Sequence, residues 1–178
     1  MDAPAPFAPP ALLSAEAVAR CVDDLAVRIA PVVDDETIAV ALLTGAMWFA
    51  ADLTRALARL DRHLKFDALW LASYGDAHAS SGRCEVRAPL QRPVTGAKVL
   101  LIDDVFDSGL SLLEGRTHIL NAGAALVQSA VFARKPWSKP REAEPEFVAW
   151  EAPARYLVGY GMDDAGAWRG LPYIGAMD

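Results

Sequence analysis

Three aspartates, Asp103, Asp104 and Asp107, fall within five positions of the stretch VLLIDDVFDSGLSL, residues 99–112. An apolar run precedes them, and Ser108, Gly109, Leu110 and Ser111 follow. Like charges at that density repel one another and weaken a strand that carries them. The order of residues fits a buried strand, its acidic carboxyl end, and a turn that opens a helix. In an open parallel sheet, ligands bind beyond the carboxyl ends of the strands. The backbone N–H groups of such a turn, with the hydroxyls of Ser108 and Ser111, make an anion site suited to a phosphate. Carboxylates repel phosphate, so the aspartates must serve another part of the ligand: sugar hydroxyls, a metal ion or a proton.

Other acidic motifs do not fit. A Walker loop needs Gly-x-x-x-x-Gly-Lys, which is absent from the sequence. An EF-hand needs acids at alternate positions and a distant Glu. A haloacid-dehalogenase-like phosphatase needs Asp-x-Asp at its strand end, and the order Asp103, Asp104, Val105, Phe106, Asp107 does not provide it.

The elements that must position these residues follow from periodicity. Ser14 is placed to cap a helix with Glu16 in its first turn, and Val18, Cys21, Val22, Leu25 and Ile29 recur at helical spacing before Pro31. Residues 37–43, TIAVALL, form a continuous apolar run, as expected of a strand buried on both faces. Thr44-Gly45 breaks it, and Phe49, Leu53, Leu57 and Leu60 restore helical spacing. FDALWLASY is a second strand, and CEVRAPL a candidate hairpin partner within a long polar stretch that suits a lid. Residues 98–105 are the third strand. Residues 109–121 are a helix with Leu112, Leu113, Ile119 and Leu120 inward and Gly123 as its stop. ALVQSAVFA is the fourth strand, and EFVAW and YLVGYG are short strand-like pieces. Strands alternating with helices imply a parallel sheet with right-handed crossovers.

The 178 residues suit a single domain, 1–178, with 1–13 a loosely ordered Pro/Ala-rich tail. The net charge of −6 argues against nucleic acid as a partner. No apolar run approaches the ~20 residues of a membrane helix, and the N-terminus lacks a basic n-region, so no membrane is expected. Cys21 and Cys84 read as free thiols in a reducing cytoplasm. His63, His78 and His118 share no metal spacing and read as structural.

Four apolar residues, two acids, two apolar residues, then Asp-Ser-Gly-x-Ser resembles the signature of type I phosphoribosyltransferases. That family replaces the pyrophosphate of 5-phosphoribosyl-1-pyrophosphate (PRPP) with a nitrogen base. ALLTGAMWFAADL, ASYG, FARKP and YLVGYGMDDAGAWRGLPYIG resemble, in order, its first loop, mobile loop, base-recognition strand and C-terminal stretch. The likeness is to its bacterial hypoxanthine (hypoxanthine-guanine) branch. The resemblance implies an α/β fold with a central, mostly parallel sheet flanked by helices and a small C-terminal hood that includes part of the N-terminal helix.

The resemblance also implies roles. Asp103 and Asp104 hold the ribose hydroxyls and, with Asp163, Mg²⁺. Asp107 faces N7 of the purine as general acid/base. Asp107, Ser108, Gly109, Leu110 and Ser111 hold the 5′-phosphate. Thr44 and Gly45, after a cis Leu43–Thr44 peptide, meet pyrophosphate together with Arg169. Lys135 donates to the 6-oxo group, Tyr156 stacks on the base, and Leu157 and Asp163 read its edge. Ser73 and Tyr74 ride on the lid, and Trp137 and Trp168 line the site. The family usually has Glu where Asp103 stands, Thr for Ser111, Lys or Arg for Thr44, and Tyr for Asp164. The implied reaction is purine salvage: hypoxanthine or guanine plus PRPP to the nucleoside monophosphate. The implied assembly is a homodimer or homotetramer. A nucleotide-binding regulator and a catalytically silent homologue are the alternative readings, and the net acidity and the presence of Asp107 and Lys135 weigh against them.

Overall fold

The structure, a computed structural model, describes residues 8–73 and 84–177. In chain order the elements are β1 (Ala11–Leu13), α1 (Ala15–Ile29), β2 (Ile38–Leu43), α2 (Met47–Arg59), β3 (Lys65–Ser73), β4 (Cys84–Ala88), β5 (Lys98–Phe106), α3 (Leu110–Asn121), β6 (Leu126–Arg134), β7 (Phe147–Glu151), β8 (Tyr156–Val158) and β9 (Ile174–Met177). The main sheet has the order β4-β3-β2-β5-β6-β7. Only β4 runs antiparallel to its neighbour; the other pairings are parallel. This is the mostly parallel α/β architecture expected from the alternation of strands and helices.

The sheet's interior explains its sequence. β2, IAVALL, is buried at five of its six positions, as a strand covered on both faces must be. From β2 the chain crosses through α2 to β3 on one side. From β5 it crosses through α3 to β6 on the other. Right-handed crossovers running in opposite directions put α2 and α3 on opposite faces. Phe49 of α2 meets Phe132 of β6 edge-on at 5.5 Å, whereas α3 lays Gly115 against Leu42 and Leu101. The strand order therefore reverses between β2 and β5, and the crevice at their carboxyl ends is the place where such sheets bind ligands.

Helix α1 begins as its sequence indicates. Ser14 accepts from the Ala17 N–H at 3.3 Å, and Val18, Val22, Leu25 and Ile29 are buried. Leu60 and Leu120 differ from expectation: both are exposed, each at the C-terminal end of its helix. No helix among the described residues is long and apolar enough to cross a membrane.

The hood departs from the sequence reading in three ways. Residues Ala11–Leu13 are not loose tail; they form β1, which pairs antiparallel with β9. Pro9 before it is buried, and its carbonyl accepts from the Tyr173 hydroxyl at 3.0 Å. The hood sheet is β1-β9-β8, so EFVAW is absent from it: as β7 this segment extends the main sheet beside β6. α1 likewise packs on α2 and β7 rather than in the hood, and its Arg28 donates to the Val148 carbonyl. A free edge on β6 would leave its ladder unpaired, and β7 covers that edge. CEVRAPL pairs with β3 as expected.

Glu146 fixes the entry to β7. Its Oε2 accepts from both the N–H and the hydroxyl of Ser129 at 2.7 Å, and its Oε1 pairs with Arg116 at 3.0 Å. One carboxylate thus joins β6, α3 and the start of β7. Burial raises its pKa, but the Ser129 bonds and Arg116 outweigh this, and the net shift is downward. A carboxyl with a lowered folded pKa stabilises the fold above its unfolded pKa and loses that contribution as pH falls through the folded value. Glu146→Gln should lower Tm at pH 7 by roughly 2–4 °C, about 1 kcal/mol after allowing for solvent screening of the Arg116 pair. The difference from the parent should shrink in acid, below the pKa of both states. A melt series that shows equal Tm at pH 7 would rule this out.

Candidate active site

The carboxyl ends of β2 and β5 meet at the switch point with no room between them. The Leu43–Thr44 peptide is cis, as expected. Gly45 follows it against Asp104: a Cβ on Gly45 would lie 2.0 Å from Asp104 Oδ2. On the other side, Gly161 presses on the same residue. Its φ is +102°, and a Cβ there would lie 2.0 Å from the Gly45 carbonyl oxygen. The β2 end and the hood therefore pack main chain to main chain through two glycines, and the β5 end joins them through the Asp104 carboxylate laid on Gly45.

The acids at the end of β5 line two different cavities, with their carboxyls still close enough to interact. Asp103 lines a cavity of about 150 Å³ together with Ser108, Gly109, Leu110 and Ser111. Asp104 lines a second cavity of about 210 Å³ together with Asp107, Lys135, Tyr156, Leu157 and Asp163. Burial raises the pKa of both carboxyls; the charge of Asp104 pushes Asp103 further up, while Arg169 pulls Asp104 the other way. Among the described residues neither has an ion-pair partner, and no three His, Cys, Asp or Glu gather as a metal centre. Two sheltered carboxylates without an ion-pair partner suit a hard divalent ion that completes its shell with ligand oxygens and water. Mg²⁺ fits this donor set.

The turn after β5 has the form of an anion site. Gly109, at φ +85°, is the N-cap of α3 and has no side chain to cap it. The first intrahelical bond runs from the Leu113 N–H to the Gly109 carbonyl, so the N–H groups before it have no helical acceptor. Ser108 Oγ approaches the Leu110 N–H only at 3.5 Å. These donors, at the positive end of the helix dipole, point to a bound anion.

The second cavity brings together residues distant in sequence. Lys135 Nζ lies 3.3 Å from Asp107 Oδ2; the lysine is mostly buried and the aspartate half-exposed. Tyr156 is exposed at the rim, and its hydroxyl donates to the Asp163 carbonyl at 3.0 Å. Leu157 is buried behind it. Asp163 Oδ1 pairs with Arg169 at 2.6 Å, its Oδ2 accepts from the Gly166 N–H at 2.7 Å, and Arg169 also donates to the Gly161 carbonyl. Trp137 and Trp168 do not line this cavity. Ser73 closes β3, and Tyr74 and His78 lie outside the described residues.

Sequence reasoning missed three contributors. Gly161 is needed for a tertiary contact that no local pattern announces. Tyr160 is buried, with its hydroxyl donating to Asp52 Oδ2 at 2.9 Å, and ties the hood to α2; its φ of +50° marks it only in three dimensions. Arg141 lies in a Pro- and charge-rich loop without periodicity, yet it contacts the carbonyls of both Asp107 and Lys135.

This chain is similar to known proteins. The phosphoribosyl transferase domain model matches residues 11–164. The hypoxanthine-guanine phosphoribosyltransferase of Bacillus subtilis is 32% identical over 167 residues, 93% of this chain and 91% of that protein. Its namesake in Aquifex aeolicus is 33% identical over 165 residues, 92% of this chain and 91% of that one. Among solved structures, a hypoxanthine-guanine phosphoribosyltransferase of Bacillus anthracis superposes with a TM-score of 0.83 at 29% identity, covering 95% of this chain and 98% of its own.

The two glycines make contrasting predictions. Gly161→Ala sets a methyl against backbone at a positive φ and should lower the unfolding free energy by about 2–4 kcal/mol. Gly45→Ala meets only a side-chain carboxylate and should cost about 1 kcal/mol while displacing Asp104. Urea unfolding of both variants checks this; a smaller loss at Gly161 than at Gly45 would contradict the packing described.

Proposed function

We propose that this chain, which belongs to the phosphoribosyl transferase family, transfers the 5-phosphoribosyl group of PRPP to a 6-oxopurine, hypoxanthine first and guanine second, with release of pyrophosphate. The observation that carries this reading is the convergence of Lys135 Nζ and the Asp107 carboxylate, 3.3 Å apart, on one cavity. A 6-oxopurine offers O6 and N7 on one edge, an acceptor for the lysine and a proton for the aspartate. Adenine carries an amino group at position 6 and would set a donor, not an acceptor, against the lysine ammonium.

In this scheme N9 of the base bonds to C1′ of the ribose while the bond from C1′ to the pyrophosphate oxygen breaks. The proton on N7 passes to Asp107. Tyr156 stacks over the base, with Leu157 behind it. The turn 107–111 holds the 5′-phosphate, and Asp103 and Asp104 hold the ribose hydroxyls. Thr44, Gly45 and Arg169 receive the pyrophosphate, whose charge grows as C1′ becomes cationic. Mg²⁺, bound through Asp103, Asp104 and Asp163 together with ligand oxygens, would supply further charge compensation for that leaving group. The proposal extends to a cytoplasmic homodimer or homotetramer; Phe66 and Trp70, two exposed apolar side chains four residues apart on β3, favour a face for a second copy.

The purified protein should form nucleoside monophosphate from PRPP, Mg²⁺ and hypoxanthine or guanine, and not from adenine or uracil. Absence of product with every 6-oxopurine would end the proposal. Asp107→Asn should lower kcat by roughly 10²-fold or more. Lys135→Met should raise KM for the base by about tenfold, with the KM for PRPP little changed. Chelation of divalent ions should abolish turnover and added Mg²⁺ restore it; full activity in chelator would exclude the metal.

A further inference from the structure

Arg141 is mostly buried, with 9% of its side chain exposed, and each part of its guanidinium is engaged. Its Nε donates to the main-chain carbonyl of Asp107 at 2.8 Å, one terminal nitrogen to the carbonyl of Lys135 at 2.6 Å, and the other pairs with Glu144 at 3.2 Å. The group also stacks on the Phe106 ring, 4.4 Å from its centroid. The edge of that ring abuts Gly109, where a Cβ would lie 2.9 Å from Phe106 Cε2. Arg141 lines neither the phosphate-turn cavity nor the base cavity. It touches no place where a ligand would sit, but it holds the main chain of the two residues that face the base.

We propose that Arg141 is a positioning residue that clamps the Asp107 and Lys135 carbonyls in one fork, setting the spacing of acid/base and base-reading lysine and the orientation of the phosphate turn. The proposal rests on the phosphoribosyl transfer read above. β5 and β6 end at Phe106 and Arg134, and the last ladder bond past them runs from the Lys135 N–H to the Phe106 carbonyl at 3.0 Å. Beyond it the sheet no longer fixes the register of the two loops. Arg141 replaces the missing rungs with two bonds from a rigid planar group. The Asp107 carbonyl shares a trans peptide plane with the Ser108 N–H, so holding the carbonyl toward Arg141 turns that N–H the opposite way. One guanidinium thus acts on both the base-facing pair and the first donor of the turn. A lysine ammonium lacks the planar fork and cannot hold both carbonyls in fixed geometry.

Two variants, Arg141→Lys and Arg141→Ala, test this through steady-state kinetics and amide hydrogen exchange. We expect kcat to fall tenfold or more in Arg141→Ala and severalfold in Arg141→Lys, with the KM for PRPP raised severalfold by the loosened turn. Guanidinium ion at low millimolar concentration should restore activity to Arg141→Ala and not raise that of the parent. Exchange at residues 108–111 should quicken at least tenfold while the interior of β5 stays protected. If Arg141→Ala fails to fold, the lysine variant carries the same readouts. Folded variants with parental kcat and parental exchange at the turn would overturn the proposal, as would an activity loss matched by faster exchange throughout the main sheet. A parent that turns over no 6-oxopurine would instead overturn the proposed reaction, and the exchange rates at the turn would still decide whether Arg141 positions it.

Discussion

The architecture of the site depends on a contact that excludes a single methyl group. Gly45 lies between Asp104 and Gly161: Asp104 leaves no space for a Cβ on Gly45, and the Gly45 carbonyl leaves none for a Cβ on Gly161. Because of this contact the end of β2 can lie beside the acidic end of β5, and the hood can rest on both. The switch point of the sheet supplies the crevice, but strand order alone brings no side chain into it. The glycine stack converts a gap between two strands into a closed corner, with Asp104 pressed toward Arg169 and the hood carbonyls within reach of the arginine.

Charge in that corner is arranged in pairs that a ligand must rearrange. Asp107 faces Lys135, and Asp163 faces Arg169. Each pair joins a group suited to the base or its edge with a cation suited to an oxygen-rich ligand. The pairing keeps the sheltered charges from standing alone, which would be costly. Asp103 and Asp104 are the exception: among the described residues neither forms an ion pair, and burial raises their pKa. The protein is thus least self-sufficient where the sugar and a metal ion are proposed to enter.

Much of this was legible in the sequence because it is local or periodic. The apolar run of β2, the Ser14 cap and the Ser-Gly turn after β5 each follow from residues within a few positions of one another. The cis peptide before Thr44 followed from resemblance, not from residue physics. What escaped was tertiary. A three-residue strand such as β1 is too short to show a period, and its partner β9 lies at the other end of the chain. EFVAW has the pattern of any half-buried strand, and only the free edge of β6 decides where it docks. Leu60 and Leu120 obey helical spacing but fall at helix ends, where both are exposed. Arg141 acts through carbonyl groups that every residue carries, so no partner's identity betrays it.

The hood has a different relation to time from the main sheet. Its three strands are three or four residues long, and its outer pairing closes over most of the chain: Tyr173 bonds to Pro9 across 164 residues. Closing so long a loop costs entropy that few hydrogen bonds repay, whereas β5, α3 and β6 are neighbours in sequence. From contact range alone, the hood is expected to open at a lower free energy than the parallel strands. Opening of that kind would carry away Tyr156 and Leu157 and leave the turn 107–111 intact. The floor of the site would then persist through breathing motions that repeatedly dismantle its roof.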